Sequence, residues 1–170
     1  QVLFRVNAGG VQVASNDSAP TNWSADQSVA NANGTATTGT PSPYIDLSGT
    51  NAVDVTFGTA ALTGANTTGY PDDLFLTERF SAVANPDNMK WAFPVANGDY
   101  TVNLLFAEIW TGAQTAGIRV FDVEIEGALV LDDFDQTATY GWSTPGVESF
   151  QTTVNDGVLN IDFFQGIQNP

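Results

Sequence analysis

The sequence predicts an all-β protein, an antiparallel sandwich or jelly roll, on three observations. Apolar and polar residues alternate with a period of two along several segments. Turn-forming Asn, Asp and Gly pairs separate those segments, and no stretch shows a convincing helical period. With 170 residues the chain is long enough to bury one sizeable core, so a single domain over 1–170 is expected.

Taken in order, the first expected strand is Val2–Val6, and Asn7 with Gly9 and Gly10 then reads as a tight backbone turn. Ala14 to Thr40 is rich in Ser, Asn, Thr, Gly and Ala, with Trp23 its only large apolar residue. It reads as a long surface loop pinned by Trp23. Further strands are expected at Val53–Phe57, Leu74–Phe80 and Met89–Phe93. From Tyr100 to Trp110, the residues Tyr100, Val102, Leu104 and Phe106 alternate with Thr101, Asn103, Leu105 and Ala107. Both faces become apolar late in that run, the pattern of a central strand. Phe121, Val123 and Ile125 alternate with Asp122, Glu124 and Glu126, which assigns three carboxylates to a wet face. Asn97-Gly98 precedes the Tyr100 strand, and Glu126-Gly127 follows the Phe121 strand. Asn155-Asp156-Gly157 separates Phe150–Val154 from Val158–Phe164, as in a hairpin.

Composition excludes several classes of function. Nineteen acidic residues face four basic ones, for a formal net charge of −15. Nucleic acid and anionic membrane surfaces are poor partners for such a chain, because binding them relies on clustered Lys and Arg. Neutral ligands, cations and basic partners remain, and the acidity suits a salty or calcium-rich exterior. The chain has neither Cys nor His, which excludes disulfides, thiolate chemistry, serine–histidine triads and most zinc sites. Within these 170 residues no signal peptide is read and no apolar run is long enough to cross a bilayer. It is expected to be one domain of a longer exported protein, monomeric, and extracellular or at the cell surface.

Six strings recur in a family order: VNAGG (Val6–Gly10), LTERF (Leu76–Phe80), FAEIW (Phe106–Trp110), RVFDVEIEG (Arg119–Gly127), LVLDDFD (Leu129–Asp135) and GIQNP (Gly166–Pro170). Together they resemble the malectin domain, including bacterial members classed among carbohydrate-binding modules, over nearly the whole chain. The resemblance implies a jelly-roll-like sandwich related to galactose-binding domains. It also implies a shallow site where loop aromatics stack on the rings of a short glucose oligosaccharide. Phe80 and Trp110 occupy positions similar to two sugar-contacting aromatics of the family. Thr111 stands where another aromatic is frequent, Gln168 where the family has a hydroxyl-bonding aspartate, and Tyr44 is the nearest counterpart of a further tyrosine. Family members usually continue past the NP pair into a final apolar strand. Here the sequence stops at Pro170, so that strand is expected from beyond this segment or from elsewhere.

A sugar ring offers one face of C–H groups and a rim of hydroxyls, so its site needs a flat apolar surface with polar groups beside it. Trp110 and Phe80 can supply the surface, while Glu78, Arg79 and Glu108 are expected to be mainly structural. Asp132, Asp133 and Asp135 form an acidic run read as a loop, whose oxygens are of the kind calcium takes, though without an EF-hand spacing. Two other functions compete. One is a glycoside hydrolase with Glu78 and Glu108 as its carboxylate pair. The other is a structural or adhesive module of a large bacterial surface protein with little or no sugar binding.

Overall fold

The computed structural model describes residues 1–18, 21–26, 40–46, 52–55, 62–81 and 89–167. In chain order its strands are β1 (Val6–Ala8), β2 (Ser24–Asp26), β3 (Ile45–Asp46), β4 (Ala52–Val55), β5 (Glu78–Ser81), β6 (Met89–Pro94), β7 (Gly98–Phe106), β8 (Val120–Ile125), β9 (Ala128–Phe134), β10 (Gly146–Val154) and β11 (Val158–Ile167). One short helix, α1 (Gln136–Tyr140), lies between β9 and β10.

Period-two alternation builds the larger sheet, five antiparallel strands in the order β3-β6-β11-β8-β9. Met89, Trp91 and Phe93 of β6 point inward, with Lys90, Ala92 and Pro94 outward. Phe121, Val123 and Ile125 of β8 are completely buried, and Asp122 and Glu124 alternate with them on the wetter face, as predicted. Leu159, Ile161 and Phe163 of β11 complete the inner face. Opposite lies β7 paired along its whole length with β10, from Gly98↔Val154 to Phe106↔Gly146. Val102, Phe106 and Val154 face the larger sheet from there. The Phe106 ring centroid lies 5.0 Å from that of Phe134, and Phe121 meets Phe134 edge-on at 5.5 Å. Burying each such ring stabilises the fold by about 1.5–3 kcal/mol. The fold is thus an antiparallel β-sandwich, the class that the sequence predicts. Between β7 and the larger sheet runs a cleft of about 960 Å³, walled by residues such as Leu104, Trp91 and Ile161 and reaching Glu78, Arg119 and Gln136.

Two smaller pairs flank these sheets: β1 with β2, which run parallel, and β4 with β5, which are antiparallel. Trp23 anchors its segment. It is buried, exchanges backbone hydrogen bonds with Val13, meets Tyr70 edge-on at 5.6 Å and lies under the Arg5 guanidinium. Part of the expected loop is nevertheless a strand, since β2 follows Trp23 directly.

Several other expectations are corrected. Asn155-Asp156-Gly157 does not close a hairpin: β10 and β11 belong to different sheets. Asn97-Gly98 likewise carries the chain from β6 in one sheet to β7 in the other. The two crossovers are tied together, with Asn97 Nδ2 donating to the Asn155 carbonyl at 2.7 Å. Glu126-Gly127 is a true hairpin turn. Both residues have positive φ, 53° and 71°, and they are flanked by the pair Ile125↔Ala128, a primed turn that matches the strand twist.

Val2 and Leu3, 44% and 46% exposed, precede the first strand rather than forming it, and pairing begins at Val6. The expected strand Leu74–Phe80 is split. Asp72–Phe75 is a 3₁₀ turn that buries the adjacent Leu74 and Phe75 near Trp23, and β5 starts only at Glu78. Consecutive apolar residues suit a turn with one buried flank better than a two-faced strand. The acidic run Asp132–Asp133 lies in strand β9, not in a loop.

Candidate functional site

The site is assembled where the chain leaves β7. Glu108 and Ile109 turn inward and are buried, whereas Trp110 remains partly exposed at the head of the 3₁₀ turn Thr111–Ala113. Three hydrogen bonds hold this corner. The Ser143 N–H donates to the Glu108 carbonyl at 2.8 Å, the Ala113 N–H to the Trp110 carbonyl at 3.0 Å, and Trp142 Nε1 to the same Trp110 carbonyl at 3.3 Å. The Trp110 benzo ring packs against Gly112: a Cβ at that position would lie 2.3 Å from Trp110 Cζ2.

Behind the ring is a buried charge cluster. The Arg119 guanidinium carbon lies 5.6 Å from the centroid of the Trp110 ring. Arg119 Nε is ion-paired to Glu108 Oε2 at 3.0 Å, and Arg119 Nη1 to Glu78 Oε2 at 3.7 Å. The other oxygen of Glu108, Oε1, accepts the Trp110 N–H at 2.9 Å. Two carboxylates share one cation. Burial raises the Glu78 carboxyl to about 7, opposed by Arg119 and reinforced by Glu108. Burial also raises Glu108, with Arg119 and the Trp110 N–H acting in the opposite direction.

Phe80 is partly exposed on β5, two residues beyond Glu78, so strand alternation puts the two side chains on one face of the strand. The residue between them, Arg79, points the other way into the interior, where Nε and Nη2 donate to the two oxygens of Asp26. Asp26 also accepts the N–H groups of Gly9 and Ser42, which ties β1, β2 and β5 together. At Gly9, φ is +73°, and a Cβ would lie 2.0 Å from the Glu78 carbonyl oxygen, so only glycine lets β1 end this close to β5. The expected turn is there as well, with the Gly10 N–H donating to the Asn7 carbonyl.

The remaining candidates are dispersed. Thr111 is exposed beside Trp110. The Tyr44 ring packs on Phe4 and Phe93, at 4.9 and 5.0 Å, as part of the apolar core margin. Gln168 lies outside the described residues. A bulge in β9, where Phe134 pairs with Phe121 and Leu131 with Val123, lets Asp132 and Asp133 converge on Asp122. Carboxylate oxygens of these three all lie within 4.8 Å of one another, hard donors of the kind calcium accepts. Asp135 is not among them: it caps α1 by accepting the Ala138 N–H at 2.9 Å and also accepts the Gly117 N–H. Arg119 and Trp142 of the Trp110 corner, and Asp122 of the carboxylate cluster, are residues that the sequence did not single out; of these, Asp122 alone carried a signal, as a wet-face carboxylate of β8.

The Malectin domain family model matches residues 2–169. The chain is 30% identical over 94 residues to Malectin-B of Xenopus laevis, covering 54% of this chain and 32% of that protein. It is 42% identical over 72 residues to a probable LRR receptor-like serine/threonine-protein kinase of Arabidopsis thaliana, covering 39% of this chain and 7% of the kinase. The chain thus spans less than a third of the length of these curated relatives. In three dimensions it is similar to the ANXUR2 extracellular domain from Arabidopsis thaliana, with a TM-score of 0.72, 20% identity, and coverage of 95% of this chain and 43% of that one. At that identity the likeness concerns the fold alone.

Proposed function

Because the chain belongs to the malectin domain family, a carbohydrate-binding fold, we propose that it is a non-catalytic module that takes a glucose-type or related oligosaccharide at the Trp110 corner. One observation carries this reading. Trp110 is partly exposed where the chain leaves β7, with its backbone and ring both held from behind by buried charge. A flat, pre-set indole loses little conformational freedom when a sugar ring stacks on it. In this reading Phe80, partly exposed on the Glu78 face of β5, serves as a second apolar contact and the exposed Thr111 as a hydroxyl next to Trp110. Tyr44, packed on Phe4 and Phe93, is left out of this proposed site, as is the Asp122 cluster.

The hydrolase reading is disfavoured by the same geometry. A glycosidase needs two carboxylates facing the scissile bond. Here Glu78 and Glu108 both face the Arg119 guanidinium instead. We further propose placement outside the cell, as for the ANXUR2 extracellular domain whose fold the chain resembles.

Trp110→Ala tests the assignment. Against the best ligand from a broad glycan array, calorimetry should show a loss of roughly 1–3 kcal/mol, the range for a central recognition aromatic, with little change in melting. A stability loss of about 3–5 kcal/mol with unchanged affinity would make Trp110 a core residue and sink the site. Silence of the folded protein on every glycan would favour the structural or adhesive reading.

A further inference from the structure

We propose that Arg119 is the positioning residue of this corner: clamped by Glu108 and Glu78, its guanidinium holds the Trp110 ring in the orientation that receives the sugar. The proposal rests on the reading of Trp110 as the stacking platform and adds to it the device that aims the ring.

The connections form a closed circuit. Glu108 Oε1 takes the Trp110 N–H, Glu108 Oε2 is ion-paired with Arg119 Nε at 3.0 Å, and the guanidinium of Arg119 lies over the Trp110 ring. A tryptophan side chain has two free torsions. Anchoring its backbone at one point and its ring at another biases both torsions toward one orientation. Glu108 and Trp110 come from the loop after β7, Arg119 from the segment entering β8, and the second counter-charge of Arg119, Glu78, from β5. The ring orientation is therefore referred to the frame of the sandwich and not to its own loop.

The residue types suit the task. Guanidinium is planar, so it can lie on an indole while its edge donates to carboxylates, whereas an ammonium is a point charge without a face. Glu108 is the only member of the circuit that touches both other members through side-chain oxygens. Burial of two carboxylates around one cation is unfavourable in itself, and an apolar filler of similar volume would serve packing at least as well. Such a filler could not receive Glu108 while presenting a flat cation to Trp110. Stability alone therefore does not account for the arrangement.

The experiment uses the whole chain labelled with ¹⁵N, with the Trp110 indole signal assigned by its disappearance in Trp110→Phe. In the wild type this signal should show the rigid heteronuclear NOE of a buried indole such as Trp91. Arg119→Lys, which keeps the charge but loses the planar face, should shift the signal and lower its NOE. Glu108→Gln should do the same to a smaller degree, and it serves if the lysine variant folds poorly. With a glycan ligand, Arg119→Lys should weaken affinity roughly tenfold, and should add nothing further in a Trp110→Ala background. An unchanged Trp110 signal, or equal affinity losses in both backgrounds, overturns the proposal. The NMR measurement needs no sugar. A protein that binds no glycan would remove the platform reading, while a ring indifferent to Arg119 would remove this inference alone.

Discussion

Arg79 and Asp26, 53 residues apart in sequence, meet in the interior with both side chains 0% exposed, Arg79 Nε at 2.5 Å and Nη2 at 2.7 Å from the two carboxylate oxygens. This fork is the joint between β2 and β5, and the Gly9 and Ser42 N–H groups occupy the remaining acceptor positions of Asp26. Truncating one partner strands the other charge. Asp26→Ala should therefore cost about 3–5 kcal/mol and lower Tm by roughly 6–20 °C in a domain of this size. The double variant Asp26→Ala/Arg79→Met should recover a large part of that loss. Differential scanning calorimetry on the pair decides, and a single variant that melts within a degree of wild type would remove the joint from the account.

Glu78 makes stability depend on pH. Its folded-state carboxyl is raised to about 7 from 4.5, first by burial and also by Glu108, against the attraction of Arg119. The folded protein therefore holds a proton that the unfolded chain releases, and the contribution is complete below 4.5 and lost as pH rises through 7. Glu108, raised in the same direction by burial, adds to the trend. Tm should fall between pH 5 and 8, and Glu78→Gln should flatten that slope, an effect on the order of 3 kcal/mol. An equally steep slope in the variant would place the titrating group elsewhere.

Gly112 leaves space for the Trp110 ring. Its φ is not in the positive region, so alanine brings no backbone strain there, but the new Cβ would meet Cζ2 of Trp110 at 2.3 Å. The partly exposed ring is what must yield. Gly112→Ala is expected to leave Tm within about 2 °C of wild type, since the ring can turn outward at small cost. Glycan affinity should fall several-fold, and acrylamide should quench Trp fluorescence more readily. Full affinity with unaltered quenching would show that the ring needs no such space.

Asp122, Asp132 and Asp133 crowd their carboxylates within 4.8 Å on the surface. Like charges so close repel, and salt screens them with a Debye length of about 10 Å at 0.1 M and about 3 Å at 1 M. Asp132→Asn should raise Tm by about a degree in dilute buffer, with the gain gone in 1 M NaCl. The calcium expectation is read in the same series. A rise in Tm with calcium beyond that with equal magnesium, lost in Asp132→Asn, supports it, and equal responses remove it.

What was legible in the sequence is what neighbouring residues encode between themselves. Side chains two apart share a face, so Phe121, Val123 and Ile125 declared an inner face of β8 before any partner was known. Glu126-Gly127 declared its turn because the conformation there depends on those two residues alone. The charge of −15 and the lack of His and Cys excluded whole classes of chemistry without any fold. The order of the six strings pointed to the family whose model matches residues 2–169.

Only the tertiary structure decided which distant groups meet. Asn155-Asp156-Gly157 has the composition of a hairpin turn, yet whether β11 pairs with β10 or crosses to β6 and β8 depends on which sheet buries Ile161, a question no local signal answers. Asp135 stood in line with Asp132 and Asp133, but the bulge in β9 sends those two to Asp122 while Asp135 caps α1. Tyr44 was matched by position and found its partners in Phe4 and Phe93. Arg119 was one cation among four in the sequence, and became the support of Trp110 only when β5, the β7 loop and β8 were brought together. A buried charge takes whatever counter-charge and surface the fold delivers to it, and long-range packing determines that delivery, not the residues on either side.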